Sequence, residues 1–232
     1  DDRFGPRPGM DLSPKDPAWM FVGSQFVYAS NDRVTWTRIS GDLAARTDRA
    51  TPGAPFGNNG TITAIAASPL DANLLGVGTS NGMVHVTRDR GRTWTKVSPP
   101  RLSTDAALTV WTMEASSHDA GVAYVGAIDI SDTRGPALFM TRDFGATWTE
   151  INGGLPKDGP TRAVREDPSE ASLLYAATQR GVYVSFDRGG QWQPLQLNLP
   201  PAPVNDLTVH GDDLIAATWG RGLWALDNVT PL

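Results

Sequence analysis

Apolar and polar residues alternate along this chain in short runs, and the runs recur in sets. Thr61–Ala66, Leu74–Gly78, Met83–Thr87 and Thr93–Val97 form one set of four. A period of two sends successive side chains to opposite faces of an extended backbone, so each run predicts a strand. The strands are termed A to D in chain order. The same set returns at Val110–Ala115, Val122–Ala127, Ala137–Thr141 and Thr147–Ile151. It returns again at Arg162–Glu166, Leu173–Thr178, Val182–Phe186 and Gln191–Leu195. An earlier set comprises Met10–Leu12, Trp19–Gly23, Phe26–Ala29 and Thr35–Ile39. A last one, Val204–Val209, Leu214–Thr218 and Leu223–Leu226, lacks strand D. Ser13-Pro14, Ser68-Pro69 and Asp167-Pro168 close three of the A strands, since proline has no N–H to give to a strand ladder. No window sustains the 3.6-residue spacing of an amphipathic helix.

Between strands C and D a phrase is repeated: Ser30–Trp36, Thr87–Trp94, Thr141–Trp148 and Ser185–Trp192. Its aspartates, Asp32, Asp89, Asp143 and Asp187, with Asn228 in the corresponding slot of the fifth set, recur at a pitch of ~40–60 residues. That is the length of a four-stranded antiparallel unit with variable loops. Such units, arranged radially, bury both sheet faces and leave short edges, which predicts an all-β fold of the β-propeller class. Five repeats are expected, at residues 10–40, 61–98, 109–152, 161–197 and 204–228, in one domain over 1–232. In each phrase the aspartate is expected to accept backbone N–H groups across the turn. Gly91, Gly145 and Gly189 are expected to supply a positive φ. Trp36, Trp94, Trp148 and Trp192 are expected to wedge between neighbouring units. Four copies at equivalent positions suit a scaffold, whereas catalysis needs one asymmetric site.

Composition narrows the function without fixing it. The 232 residues are 40% apolar and 19% charged with a net charge of −5. No basic stripe is present of the kind that displaces counterions from nucleic acid. No apolar run reaches the ~18–20 residues of a membrane-spanning helix. There is no cysteine, so neither a disulfide framework nor thiol chemistry is expected. His85, His118 and His210 have no ligand spacing, and no metal or other cofactor is expected.

The phrase resembles the Asp-box (bacterial neuraminidase) repeat, Ser/Thr-x-Asp-x-Gly-x-Thr-Trp. Gln191 stands for its threonine in the fourth copy, and the first copy has lost its glycine. Gly60–Pro69, Val84–Asp89, Gly181–Ser185 and the closing Gly220–Asp227 are similar to bacterial sortilin-like proteins, which often carry a "glycosyl hydrolase, repeat-containing" label. The resemblance covers about the whole chain. It implies a secreted or periplasmic protein and family members with more blades. It does not imply sialidase activity: Arg7-Pro8 is not the Arg-Ile-Pro motif of sialidases, and no Tyr–Glu pair can be assigned. Asp-box xyloglucanases act between two propellers, and this chain is long enough for one.

Recognition is expected on the loop face opposite the aspartate turns, formed by the B–C and D–A connections. The candidate ligand-binding residues there are Gln25, Asn81, Arg134, Arg180, Trp219 and Arg221, with Phe56, Asn58 and Asn59 on a long D–A connection. Arginine forks onto carboxylates and tryptophan stacks, so a peptide, protein or glycan ligand is expected. The alternatives are a glycoside hydrolase using Asp129 and Asp132 as its carboxylate pair, and an assembly factor of a membrane complex. Trp111 and Trp224, on strands, are assigned to the core. The absent fifth D strand leaves two expectations, a ring closed by a three-stranded blade or blades supplied by another chain or by removed sequence, and an open ring is expected to self-associate.

Overall fold

The computed structural model describes residues 1–45, 59–104, 107–129, 135–195 and 199–230. Its strands fall into five consecutive antiparallel sheets, the blades of a β-propeller. The first holds β1 (Met10–Leu12), β2 (Met20–Gly23), β3 (Val27–Ser30) and β4 (Thr37–Arg38). The second holds β5 (Ile62–Ala67), β6 (Leu75–Thr79), β7 (Val84–Thr87) and β8 (Thr95–Lys96). The third holds β9 (Leu108–Ala115), β10 (Ala123–Asp129), β11 (Ala137–Thr141) and β12 (Thr149–Glu150), and the fourth β13 (Thr161–Glu166), β14 (Leu174–Thr178), β15 (Gly181–Ser185) and β16 (Gln193–Pro194). The fifth has three strands, β17 (Val204–His210), β18 (Asp213–Thr218) and β19 (Gly222–Leu226).

Two local features differ from the sequence reading. Each D strand is a two-residue ladder, because the first part of the predicted run is spent on the aspartate turn. Pro100–Thr104 forms a single helical turn, α1, begun by the Pro99-Pro100 pair and too short to show periodicity.

The aspartate turns explain how one blade meets the next. Asp89 Oδ1 accepts the Thr93 N–H at 2.8 Å, Oδ2 accepts the Thr93 hydroxyl at 2.6 Å, and the Thr87 hydroxyl donates to Oδ1 at 2.7 Å. Asp143 repeats this with Thr147 and Thr141. Asp32 takes the N–H groups of Val34 and Thr35, and Asp187 that of Gln191. These hydrogen bonds favour the ionised form and hold Asp32 and Asp89 down to about 2.

Two successive residues at each glycine-containing turn are left-handed: Arg90 and Gly91 (φ 56° and 88°), Phe144 and Gly145 (58° and 88°), Arg188 and Gly189 (58° and 86°). The glycine also meets the preceding blade. A Cβ on Gly91 would fall 2.8 Å from Ile39, one on Gly145 2.7 Å from Val97, and one on Gly189 2.7 Å from Ile151. Those three residues follow the D strands, and their carbonyls accept the indole N–H of Trp94 (3.0 Å), Trp148 (2.6 Å) and Trp192 (2.7 Å). Each such tryptophan therefore tethers its blade to the blade before it. The first turn is one residue shorter, has no glycine, and belongs to the first blade. Its Trp36 is 39% exposed rather than wedged.

Inner strand packs on inner strand around the ring: β1 on β5, β5 on β9, β9 on β13 and β13 on β17. Apolar clusters fill the four spaces between consecutive blades. The outer faces of the first and fifth blades are not sealed against one another, for Met10, Leu12 and Leu223 are all exposed.

Candidate functional site

Strands A line the centre of the ring, and an irregularity in them shapes the site. In β5, β9, β13 and β17 the pairing with strand B skips one residue, at Thr63, Trp111, Arg162 and Asn205 respectively. A β-bulge re-aims a side chain by giving one strand an extra residue. Repeated at one level in four blades, it breaks the alternation that would have put these residues in an inter-blade core. Trp111 accordingly faces a central cavity of about 620 Å³, which corrects its assignment to the core. The Arg7 guanidinium covers its ring at 4.2 Å and donates to the Trp111 carbonyl at 3.1 Å. Arg162 stands 6.0 Å from the same ring.

Below this tier the cavity carries charge. Arg165 lies 3.5 Å from the Glu114 carboxylate and 2.7 Å from that of Asp206, joining blades three, four and five. Asp11 reaches across from the first blade and accepts the Ala67 N–H at 2.8 Å. Burial pushes Glu114 up to about 7, with Arg165 opposing and the neighbouring Glu166 and Asp11 adding to the rise. Burial also raises Asp11. Glu166 is consumed by structure: it accepts from the hydroxyls of Ser116 and Tyr124 and from the Ser117 N–H, tying blade three to blade four. Its neighbour Asp167 caps the following turn through the N–H groups of Ser169 and Glu170.

The loop face holds the sequence candidates, in very different states. Gln25 is 3% exposed. It accepts the Arg3 N–H at 2.6 Å and donates to the Asp1 carbonyl at 3.2 Å, so the N-terminal residues occupy the surface it was expected to offer. Arg3 also pairs with Asp42, and Asp2 accepts from Tyr28. Asn81 donates to the Ala44 carbonyl and accepts from the Thr79 hydroxyl, fixing the connection between blades one and two. Arg180 forms a forked pair with Asp158. Asp129 ends β10, half-buried opposite Leu108. Asp132, Arg134, Phe56 and Asn58 lie outside the described residues. Asn59 pairs with Ala45.

Trp219 and Arg221 remain accessible. They sit on the B–C turn of the fifth blade, with Gly220 and Gly222 both at φ 75°. Trp219 is 70% exposed and Leu223, just beyond, 76%. The arrangement therefore offers two distinct surfaces: a charged central cavity, and an aromatic, cationic and aliphatic patch at the rim of the last blade. The charged cavity was not anticipated from the sequence. Its only sequence signal is a charge recurring inside strands A, at Glu114, Arg165 and Asp206.

No protein-family model matches the chain. It is 26% identical over 199 residues to a probable oligoxyloglucan-reducing end-specific xyloglucanase of Neosartorya fischeri, covering 78% of this chain and 23% of that protein. It is 25% identical over 95 residues to the vacuolar protein sorting/targeting protein 10 of Pyrenophora teres f. teres, covering 41% of this chain and 6% of that one. Among solved structures it is similar to a GH74 xyloglucanase from Xanthomonas campestris, with a TM-score of 0.68, 17% identity, and 97% of this chain matched to 37% of that chain. The β-propeller domain of Cps50 (Swd1) from Myceliophteria thermophila gives a TM-score of 0.67 at 13% identity, covering 97% of this chain and 66% of that one. These likenesses fix the fold as a propeller. The chain spans under a quarter of the length of the curated relatives it matches.

Proposed function

We propose that this chain is a non-catalytic recognition propeller that binds a polypeptide through the rim on which Trp219 and Arg221 stand. The observation that carries the reading is the contrast in side-chain commitment. The aspartates of the repeated turns are occupied by backbone N–H groups, and Arg165 and Asp206 of the cavity are paired. The rim presents an accessible indole and guanidinium beside an exposed leucine. Aromatic and arginine side chains supply most of the binding energy at recognition surfaces. A curated relative named for protein sorting is in keeping with this reading, and a secreted or periplasmic setting belongs to it.

A second reading, glycoside hydrolysis, draws support from Glu114. A carboxyl group lifted to about 7 is suited to donate a proton near neutrality, and one relative is named as a xyloglucanase. One experiment separates the two. Peptide and glycan arrays are probed with the purified chain and with Trp219→Ala and Arg221→Ala, while the same glycans are assayed for hydrolysis with wild type and Glu114→Gln. Recognition predicts peptide capture weakened tenfold or more by the rim substitutions, with no turnover. Hydrolysis lost in Glu114→Gln establishes the second reading instead.

A further inference from the structure

The same three side chains meet in the spaces between consecutive blades, and in one space two of the three places are almost empty. On strand B, Phe21 stands opposite Ala29, Tyr124 opposite Met140 and Tyr175 opposite Val184, one step before the serine or threonine that opens the aspartate phrase. These rings pack toward the following blade and are at most 1% exposed. In the second blade the equivalent residue, opposite Val86, is Gly76. The following blades answer the rings with Leu75, Leu174 and Leu214, near the start of their own strands B. In the third blade that place holds Ala123. The last member comes from strand A: Ile65, Val164 and Leu207 in the three filled spaces, and Met113 between blades two and three.

Gly76, Met113 and Ala123 thus stand where a ring, a branched aliphatic and a leucine meet elsewhere. Methionine, unbranched and flexible, covers part of the loss: its Cε lies 2.8 Å from where a Cβ on Gly76 would be. What remains is a cavity of about 40 Å³, walled also by Ala115, Val86 and Trp148. Gly76 and Met113 accordingly stay half-buried in the middle of paired strands. The Thr141 hydroxyl in the wall is committed to Asp143 and to the Gly145 N–H. His85, cross-strand from Val77, points to the side of blade one. Such a wall gives water too few partners to hold it. The cavity adjoins two openings. Val97, Phe144 and Trp148 line both it and a cleft on the outside of the ring, and Ala66, Met113 and Ala115 line both it and the central cavity.

We propose that the gap between blades two and three binds a small aromatic molecule, a single six-membered ring of the toluene or phenol class, seated where Phe21, Tyr124 and Tyr175 sit in the other spaces. A dry apolar cavity gains dispersion contacts when a ring enters and gives up no hydrogen-bonded water. Two four-stranded sheets hold its walls. Met113 is the adaptable wall: it swings off Gly76 and lays its sulfur against the edge of the ring. The strands on both sides of the gap, β5 to β12, are all in place and lie in the middle of the chain. The site is separate from the rim of the fifth blade and does not depend on polypeptide recognition there.

The probes are toluene and phenol, titrated into the full chain with carbon-13 at its methionine methyls. The expected result is a saturable upfield ring-current shift of the Met113 methyl at millimolar concentration or below, while Met10, Met20, Met83 and Met140 move far less. Ala123→Leu puts back the side chain found at Leu75, Leu174 and Leu214, and should weaken binding at least tenfold without lowering the thermal midpoint. Should that variant not fold, Gly76→Phe combined with Met113→Val restores the ring and branched aliphatic of the other spaces, and loss of binding is then read on the ligand by saturation transfer. No Met113 shift at the solubility limit of toluene overturns the proposal, because the gap is then closed by Met113 itself. So does a shift shared by all five methionines, or an affinity unchanged in the filled variant.

Discussion

Replacing the four turn tryptophans one at a time tests whether the repeated phrase works as an inter-blade tether. Trp192 is the extreme case. It is 4% exposed, packs with Ile151, Leu155, Val164 and Leu174, and donates its indole N–H to Ile151 at 2.7 Å. Truncating a buried tryptophan costs ~3–5 kcal/mol. In a chain of this size each kcal/mol moves the thermal midpoint by about 2–4 °C, so Trp192→Ala should lower Tm by roughly 6–20 °C. Trp192→Phe keeps most of the apolar contact and leaves the Ile151 carbonyl without its donor, for ~1–3 kcal/mol. Trp94 and Trp148, half-buried with the same indole bond, should fall between these limits when changed to alanine. Trp36 is 39% exposed and donates no indole bond to another blade among the described residues, so Trp36→Ala should cost ~1 kcal/mol or less. Urea denaturation with tryptophan fluorescence, checked by calorimetry, gives the four values. Equal losses at all four positions, or a Trp36 loss matching that of Trp192, would refute the tether.

Further expectations concern charge and turn geometry. Glu114 is lifted to about 7 in the fold, so the unfolded chain gives up this proton first, and the native state loses roughly 3 kcal/mol as pH rises from ~4.5 to ~7. Glu114→Gln should therefore gain stability relative to wild type at pH 8 and show little gain at pH 4.5; urea midpoints independent of pH in the comparison exclude this. His85 is held down to about 4, mainly by burial and secondarily by Lys96. Its neutral form dominates in the fold, and roughly 3 kcal/mol should be lost as pH falls from ~6.5 to ~4. A His85→Gln variant should flatten that part of the stability profile, and an unchanged slope counts against it. Gly145→Ala combines φ 88° with a Cβ 2.7 Å from Val97 and should cost ~2–3 kcal/mol, whereas Gly211→Ala, at φ 59° with nothing within 4 Å, should cost ~1 kcal/mol. Thermal midpoints of the two variants check the difference.

The hairpins and their clamps were legible because their causes are local. Asp89, Thr87 and Thr93 find each other within seven residues of chain, and alternation marks the strands on either side. The cavity was illegible for the opposite reason. Trp111 reads as one more apolar residue in a strand until a bulge turns it inward, and bulges are settled by pairing with a partner strand. Arg165, Glu114 and Asp206 come from three different blades, so no spacing announces them. Gln25 was misjudged as accessible because its partners lie 22 and 24 residues away, in an N-terminal segment with no strand pattern of its own. The exposure of Trp219 and Arg221 was legible because a turn carrying Gly220 and Gly222 displays the side chains between them.

The indole bonds all run in one sense along the polypeptide, each donor lying 41–55 residues after its acceptor. A nascent chain leaving the ribosome therefore presents every carbonyl before the ring that will seek it. No hairpin has to wait for a later one in order to dock, and maturation can keep step with translation from the amino end.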